Sequence, residues 1–92
     1  PFYKVMNFWQ THESQLFPGS GGWMRANEKI AFDSSKIKVP PYLPNTTKVR
    51  GDIAHQYNNL QAIDKHIGAI LEGLEQKGLL KNTLIVFYTD HG

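Results

Sequence analysis

Apolar side chains at Ile53, Tyr57, Leu60, Ile63, Ile67, Ile70, Leu71 and Leu74 recur at spacings of three and four. That periodicity predicts one long helix over about residues 47–77. Thr46 or Thr47 offers the oxygen that caps its first turn. Gly78 suits the left-handed residue just past its end, with Leu79 placed for the accompanying apolar contact. The flanking segments change period. Residues 2–8 form a short apolar and aromatic run, and residues 83–88 (Thr-Leu-Ile-Val-Phe-Tyr) are continuously apolar, as in a strand covered on both faces. Between the first run and the helix lies an excursion over 13–46 with no clear periodicity. Pro18-Gly19-Ser20-Gly21-Gly22 and Asp33-Ser34-Ser35 read as turns, Trp23 and Phe32 have no periodic partners, and Val39-Pro40-Pro41-Tyr42-Leu43-Pro44 is expected to be extended. An excursion of that length is unusual in a compact domain unless it is functional or disordered.

The order strand, excursion, helix, strand predicts an α/β fold in which a right-handed crossover joins two parallel strands. The residues after each strand then emerge at the same edge of the sheet, where open α/β sheets hold their ligands. Thr11-His12-Glu13 follows the first strand, and the turn 89–92, Thr-Asp-His-Gly, follows the second.

Composition narrows the chemistry. The 92 residues contain no cysteine, which removes disulfides, thiolate metal sites and a cysteine nucleophile from consideration. Ten basic side chains against eight acidic ones are scattered, without the stripe of a nucleic-acid binder. No apolar run approaches the roughly 20 residues of a membrane span. A chain this short buries only about 60–65% of its unfolded surface, so a core of its own would be marginal. The chain opens on Pro1 within an apolar run and closes on Gly92 just past another. It is therefore expected to be a fragment of a longer protein.

Asp90 and His91 set a carboxylate and an imidazole beside a glycine at a strand end, and both are ordinary ligands for divalent ions. The same pair is also common in a plain solvated turn. His12 alone is a loop histidine of the kind that most often fills a surface, and its place at the same predicted rim is what raises it. Asp64 falls on the apolar stripe and is expected to be partly buried, tied by hydrogen bonds. His55 and His66 lie on the polar face. The Gly19–Gly22 stretch lacks the lysine and helix of a phosphate loop.

Taken in order, Val39-Pro40-Pro41-Tyr42-Leu43-Pro44-Asn45-Thr46, Arg50-Gly51-Asp52, Tyr57, Asp64, Gly68 and the run from Lys77-Gly78-Leu79-Leu80-Lys81-Asn82-Thr83 into Asp90-His91-Gly92 resemble the central part of a sulfatase of the alkaline-phosphatase-like superfamily. The opening residues through Thr11-His12-Glu13 resemble the strand and histidine loop of the same family, and residues 15–36 do not contribute. The passage before the helix is most similar to the heparan N-sulfatase branch and its bacterial relatives.

The resemblance implies hydrolysis of a sulfate ester or sulfamate, on a sulfated small molecule or glycan, by a formylglycine nucleophile made from an upstream Cys or Ser. That residue lies outside this chain, so the fragment alone is expected to be inert. It also implies that Asp90 and His91 are calcium ligands, and that His12 contacts the sulfate and assists the leaving group. The remainder of the sulfatase domain is the implied partner, and the compartment is periplasmic, secreted or lysosomal. Two alternatives stand beside it. One is a phosphonate monoester hydrolase or phosphodiesterase of the same superfamily. The other is a non-catalytic module binding glycan through Trp9, Trp23 and Tyr42.

Overall fold

The computed structural model describes residues 1–12, 15 and 32–90. Its dominant element is helix α1, Thr47–Gln76. At 1.5 Å per residue, 30 residues make a rod about 45 Å long, which sets the 50 Å long axis of the molecule. The predicted signals act at both ends. The Thr46 hydroxyl accepts the Val49 amide at 3.2 Å, and the Thr46 carbonyl accepts from Arg50 N–H. At the other end Gly78 adopts φ +67°. Its amide reaches the Glu75 carbonyl at 2.8 Å, and the Leu79 amide reaches back to Leu74 at 2.9 Å. This pair of bonds satisfies carbonyls that the helix end would otherwise leave bare. A short 3-10 turn, Leu80–Asn82, then redirects the chain.

The segment before α1 is more ordered than its periodicity suggests. Asp33 caps a 3-10 turn, Ser34–Lys36, by accepting from both the amide and the hydroxyl of Ser35. Arg50 clasps this turn to the helix, donating to the Ser35 carbonyl at 3.3 Å and to Asn45 Oδ1 at 2.7 Å. The proline passage is not extended throughout, because the Leu43 amide closes a turn on the Pro40 carbonyl at 3.0 Å. A proline restrains the residue before it and leaves the residue after it free. Val39 and Pro40 are therefore held extended, while Pro41 and Tyr42 take the corner that a proline at its first central position favours.

The predicted parallel strand pair is the main correction. Residues 2–8 and 83–88 take no regular secondary structure, and no β-ladder forms among the described residues. A helix satisfies its own backbone groups, whereas a strand exists only beside a neighbour about 4.8 Å away. Apart from half-buried Phe8, the apolar side chains of both segments accordingly remain exposed, Tyr3 by 90% and Leu84 by 89%.

The covered face of α1 is also not the predicted one. Buried helix residues are Ala54, Asn58, Asn59, Ala62 and Ile63, and only Ile63 belongs to the apolar stripe. Tyr57 and Leu60 of that stripe are exposed, and Phe32 packs edge-on against Tyr57 at 5.6 Å. The small and amide side chains are covered because residues 8–12 lie near that side, with Phe8 edge-on to His66 at 5.5 Å and Gln10 buried.

Candidate functional site

His12 sits at the end of a tight turn. Its amide donates to the Trp9 carbonyl at 3.1 Å, and its carbonyl accepts from the Gln15 amide at 2.9 Å. The carbonyl just before it, on Thr11, accepts from Gln56 Nε2 of α1 at 3.2 Å. The Trp9 ring lies tilted against the imidazole with centroids 6.0 Å apart. The side chain itself is exposed. An imidazole is thereby presented to solvent from an anchored backbone, the arrangement a proton donor or anion contact requires.

Asp90 follows the apolar segment 83–88 and is exposed. That segment leaves the helix cap through Thr83, whose hydroxyl donates to the Leu79 carbonyl at 2.8 Å. His91, the second expected ligand, falls outside the described residues, as do Glu13, Trp23 and the Gly19–Gly22 stretch. A hard cation such as calcium takes six to eight oxygen ligands. The described residues contain no group of three or more His, Asp or Glu side chains able to hold a metal. The Asp90 carboxylate has the right chemistry, but the described residues do not complete a site for the ion.

The other expected residues divide. Asp64 is exposed, not partly buried, because the face it shares with Tyr57 and Leu60 is the uncovered one. His66 is exposed as expected, while His55 is half-buried. Trp9 and Tyr42, two of the three rings of the glycan-stacking alternative, are exposed. Asp33 has its carboxyl held below the ordinary carboxylate range, first by the Ser35 hydroxyl and then by the Ser35 amide. It is a structural cap remote in role from His12 and Asp90.

Pattern reading missed the amides under the histidine turn. Gln10, Asn58 and Asn59 are buried, and Gln56 is half-buried beside them on α1. The available signal was the cluster Gln56, Asn58, Asn59 interrupting the charged face of the helix. Amides rarely occupy a covered face without partners to satisfy there.

A family model described as Sulfatase matches residues 1–92. The chain is 36% identical over 121 aligned residues to the ulvan-active sulfatase of Formosa agariphila, which covers 100% of this chain and 20% of that protein. It is 37% identical over 62 residues to human N-sulphoglucosamine sulphohydrolase, with 67% of this chain and 12% of that protein covered. With the endo-4-O-sulfatase of Bacteroides thetaiotaomicron it shares 33% identity over 56 residues, 61% of this chain and 11% of the other. The chain thus spans a fifth or less of the length of these curated relatives. No solved structure matches it.

Proposed function

The chain belongs to the sulfatase family, and on that premise we propose that it is part of an enzyme hydrolysing sulfate esters or sulfamates on a sulfated glycan. The family match across all 92 residues carries this reading, because His12 and the Asp90-His91 pair both fall within it. The names of the relatives point to the substrate class, one being active on ulvan and another on N-sulphoglucosamine. The family implies an alkaline-phosphatase-like α/β domain, and the rest of that domain is the partner that would cover the apolar segments 2–8 and 83–88. Among the described residues no helix is long and apolar enough to cross a membrane. A periplasmic, secreted or lysosomal location fits the family resemblance.

The chemistry assigns each residue a task. Cleaving a sulfate ester breaks the bond between sulfur and the alcohol oxygen, which leaves with negative charge and needs a proton. His12 supplies that proton or stabilises the charge, as a positioned imidazole does. Asp90 and His91 contribute to a calcium site whose other ligands lie outside this chain. An ion held there would supply Lewis-acid polarisation of the sulfuryl oxygens. The nucleophile is a formylglycine, also outside this chain.

The test is tandem mass spectrometry of the full-length protein, co-expressed with a formylglycine-generating system, together with sulfate release from sulfated oligosaccharides. A converted Cys or Ser and released sulfate are the expected result. An unconverted residue and turnover of phosphodiesters or phosphonate monoesters instead would replace the reading with the superfamily alternative.

A further inference from the structure

Three of the six buried residues among those described are amides, and they gather where residues 10–12 cross α1. Gln10, Asn58 and Asn59 are 8%, 5% and 6% exposed. Gln56 and Asn59, three apart on the helix, are neighbours on its surface. Gln56 donates to the Thr11 carbonyl, 45 residues away along the chain. Holding a loop against a helix does not require this chemistry. Apolar side chains would bury the same area without the cost of desolvating amides, and here Gln10 Oε1, Gln56 Oε1 and Asn59 Nδ2 have no hydrogen-bond partner among the described residues. What an amide adds is direction. A hydrogen bond fixes the plane of one peptide group, whereas apolar contact leaves it free to tilt.

The peptide group so fixed is the one joining Thr11 to His12. Its carbonyl accepts from Gln56, and its N–H, that of His12, donates to Trp9. The carbonyl of His12 is held in turn by Gln15. Two of these bonds are local to the turn and would survive if the turn moved as a body. The bond from Gln56 ties the turn to the helix.

We propose that Gln56 is a positioning residue for His12, orienting the Thr11–His12 peptide so that the imidazole meets the leaving group. The proposal rests on His12 acting in catalysis, and it assigns Gln56 no contact with substrate. A misplacement of about 1 Å in a catalytic group costs up to about a hundredfold in rate, so loss of one such tie is expected to lower kcat by about tenfold with little change in KM.

The test uses the full-length enzyme and a sulfated oligosaccharide, whose alcohol oxygen needs a proton as it leaves. Gln56→Met keeps the volume and removes the donor, and Gln56→Glu keeps the shape with a group that donates only when protonated. Gln56→Met is expected to lower kcat about tenfold with KM and Tm nearly unchanged. Gln56→Glu is expected to be impaired at neutral pH and to approach the wild-type rate as pH falls through the carboxyl range. Asp52 and His55 on α1 and His12 on the turn are common to both proteins, but a carboxylate at 56 also acts on them, so the pH ratio is read beside the uncharged Gln56→Met. Wild-type kcat in Gln56→Met would overturn the proposal, as would a Gln56→Glu to wild-type ratio that does not change with pH. If Gln56→Met fails to fold, the pH dependence of Gln56→Glu decides. His12→Ala separates the two levels: full activity there removes the role of His12, whereas an inactive His12→Ala beside an unaffected Gln56→Met removes only that of Gln56.

Discussion

Around His12, hydrogen bonds among the described residues hold the backbone, one of them reaching across from α1. The segment that leads to Asp90 is of a different kind. Residues 83–89 follow the helix cap without regular structure, and every side chain from Leu84 to Tyr88 is exposed, Leu84 by 89% and Ile85 by 49%. The two segments have similar apolar patterns and both lead into candidate chemistry. They differ in where their order comes from. The turn is built from contacts within this chain, while the second segment has an apolar content that only neighbours on both of its faces would satisfy.

If both ends serve one reaction, they should fail in different ways. In the full-length enzyme, His12→Ala is expected to lower kcat by about 10²–10⁴-fold, the usual contribution of a positioned acid. Asp90→Ala should be as damaging, but through lost metal affinity. Millimolar calcium is therefore expected to restore part of the activity of Asp90→Ala and none of that of His12→Ala. Equal indifference to calcium would separate Asp90 from the metal site.

The next largest effect concerns the exposed run. Val86 is 70% exposed here, yet in the full-length enzyme Val86→Asp is expected to destabilise the fold by about 3 kcal/mol or more, the effect of a charge forced into a covered strand. Thermal denaturation reads this directly. An unchanged Tm would mean that the run stays solvent-facing and that its contrast with the His12 turn is permanent.

How much of this was legible in the sequence follows the same division. The helix and its caps were, since Thr46, Gly78 and Leu79 act through bonds to residues a few positions away. The turn at Asp33 was legible for the same reason. The strand pair was read as present from residues 2–8 and 83–88, but a ladder needs partners that periodicity does not supply. The covered face of α1 was misjudged because burial follows what packs against it. Residues 10–12 brought amides, so Ala54, Asn58 and Asn59 lie inside while Tyr57 and Leu60 stay outside. Gln56 escaped notice since a polar side chain on a long helix ordinarily faces solvent.

The helix end offers a smaller and cleaner contrast between glycines. A Cβ added at Gly78 or at Gly73 meets nothing within 4 Å, but only Gly78 has a positive φ. Gly78→Ala is thus expected to cost about 1–2 kcal/mol through backbone strain alone. Gly73→Ala should stabilise by about 0.5–1 kcal/mol, since alanine loses less entropy in a helix. Chemical denaturation of the two variants checks both signs. A neutral Gly78→Ala would mean that the cap bonds from Gly78 and Leu79 are not what ends the helix.

Asp64 tests the face that residues 10–12 leave uncovered. Burial on the apolar stripe would make Asp64→Ala costly, because its partners would lose their bonds. The exposed position predicts a change within about 0.5 kcal/mol. A loss of 2 kcal/mol or more in the full-length enzyme would show that another segment covers Tyr57, Leu60 and Asp64, and that α1 is packed on both sides.

The smallest effect belongs to Asp33, whose carboxyl is held below its ordinary value by the Ser35 hydroxyl first and the Ser35 amide second. A carboxyl pKa lowered by folding adds stability above its unfolded value, and that contribution is lost as pH falls through the lowered one. The cap should therefore hold at neutral pH and loosen only in strong acid. Ser35→Ala removes the hydroxyl and leaves the amide, so the Asp33 carboxyl is expected to move part of the way back towards the ordinary range. Carboxyl-carbon NMR titration reads that movement. Since Arg50 donates to the Ser35 carbonyl, a loosened turn should also weaken the clasp between this segment and the first turn of α1, leaving the Gln56–Thr11 bond on the next turns untouched. A change at Thr11 on acid titration of Asp33 would show that the two ties are coupled, and that the order around His12 reaches back to the turn before the helix.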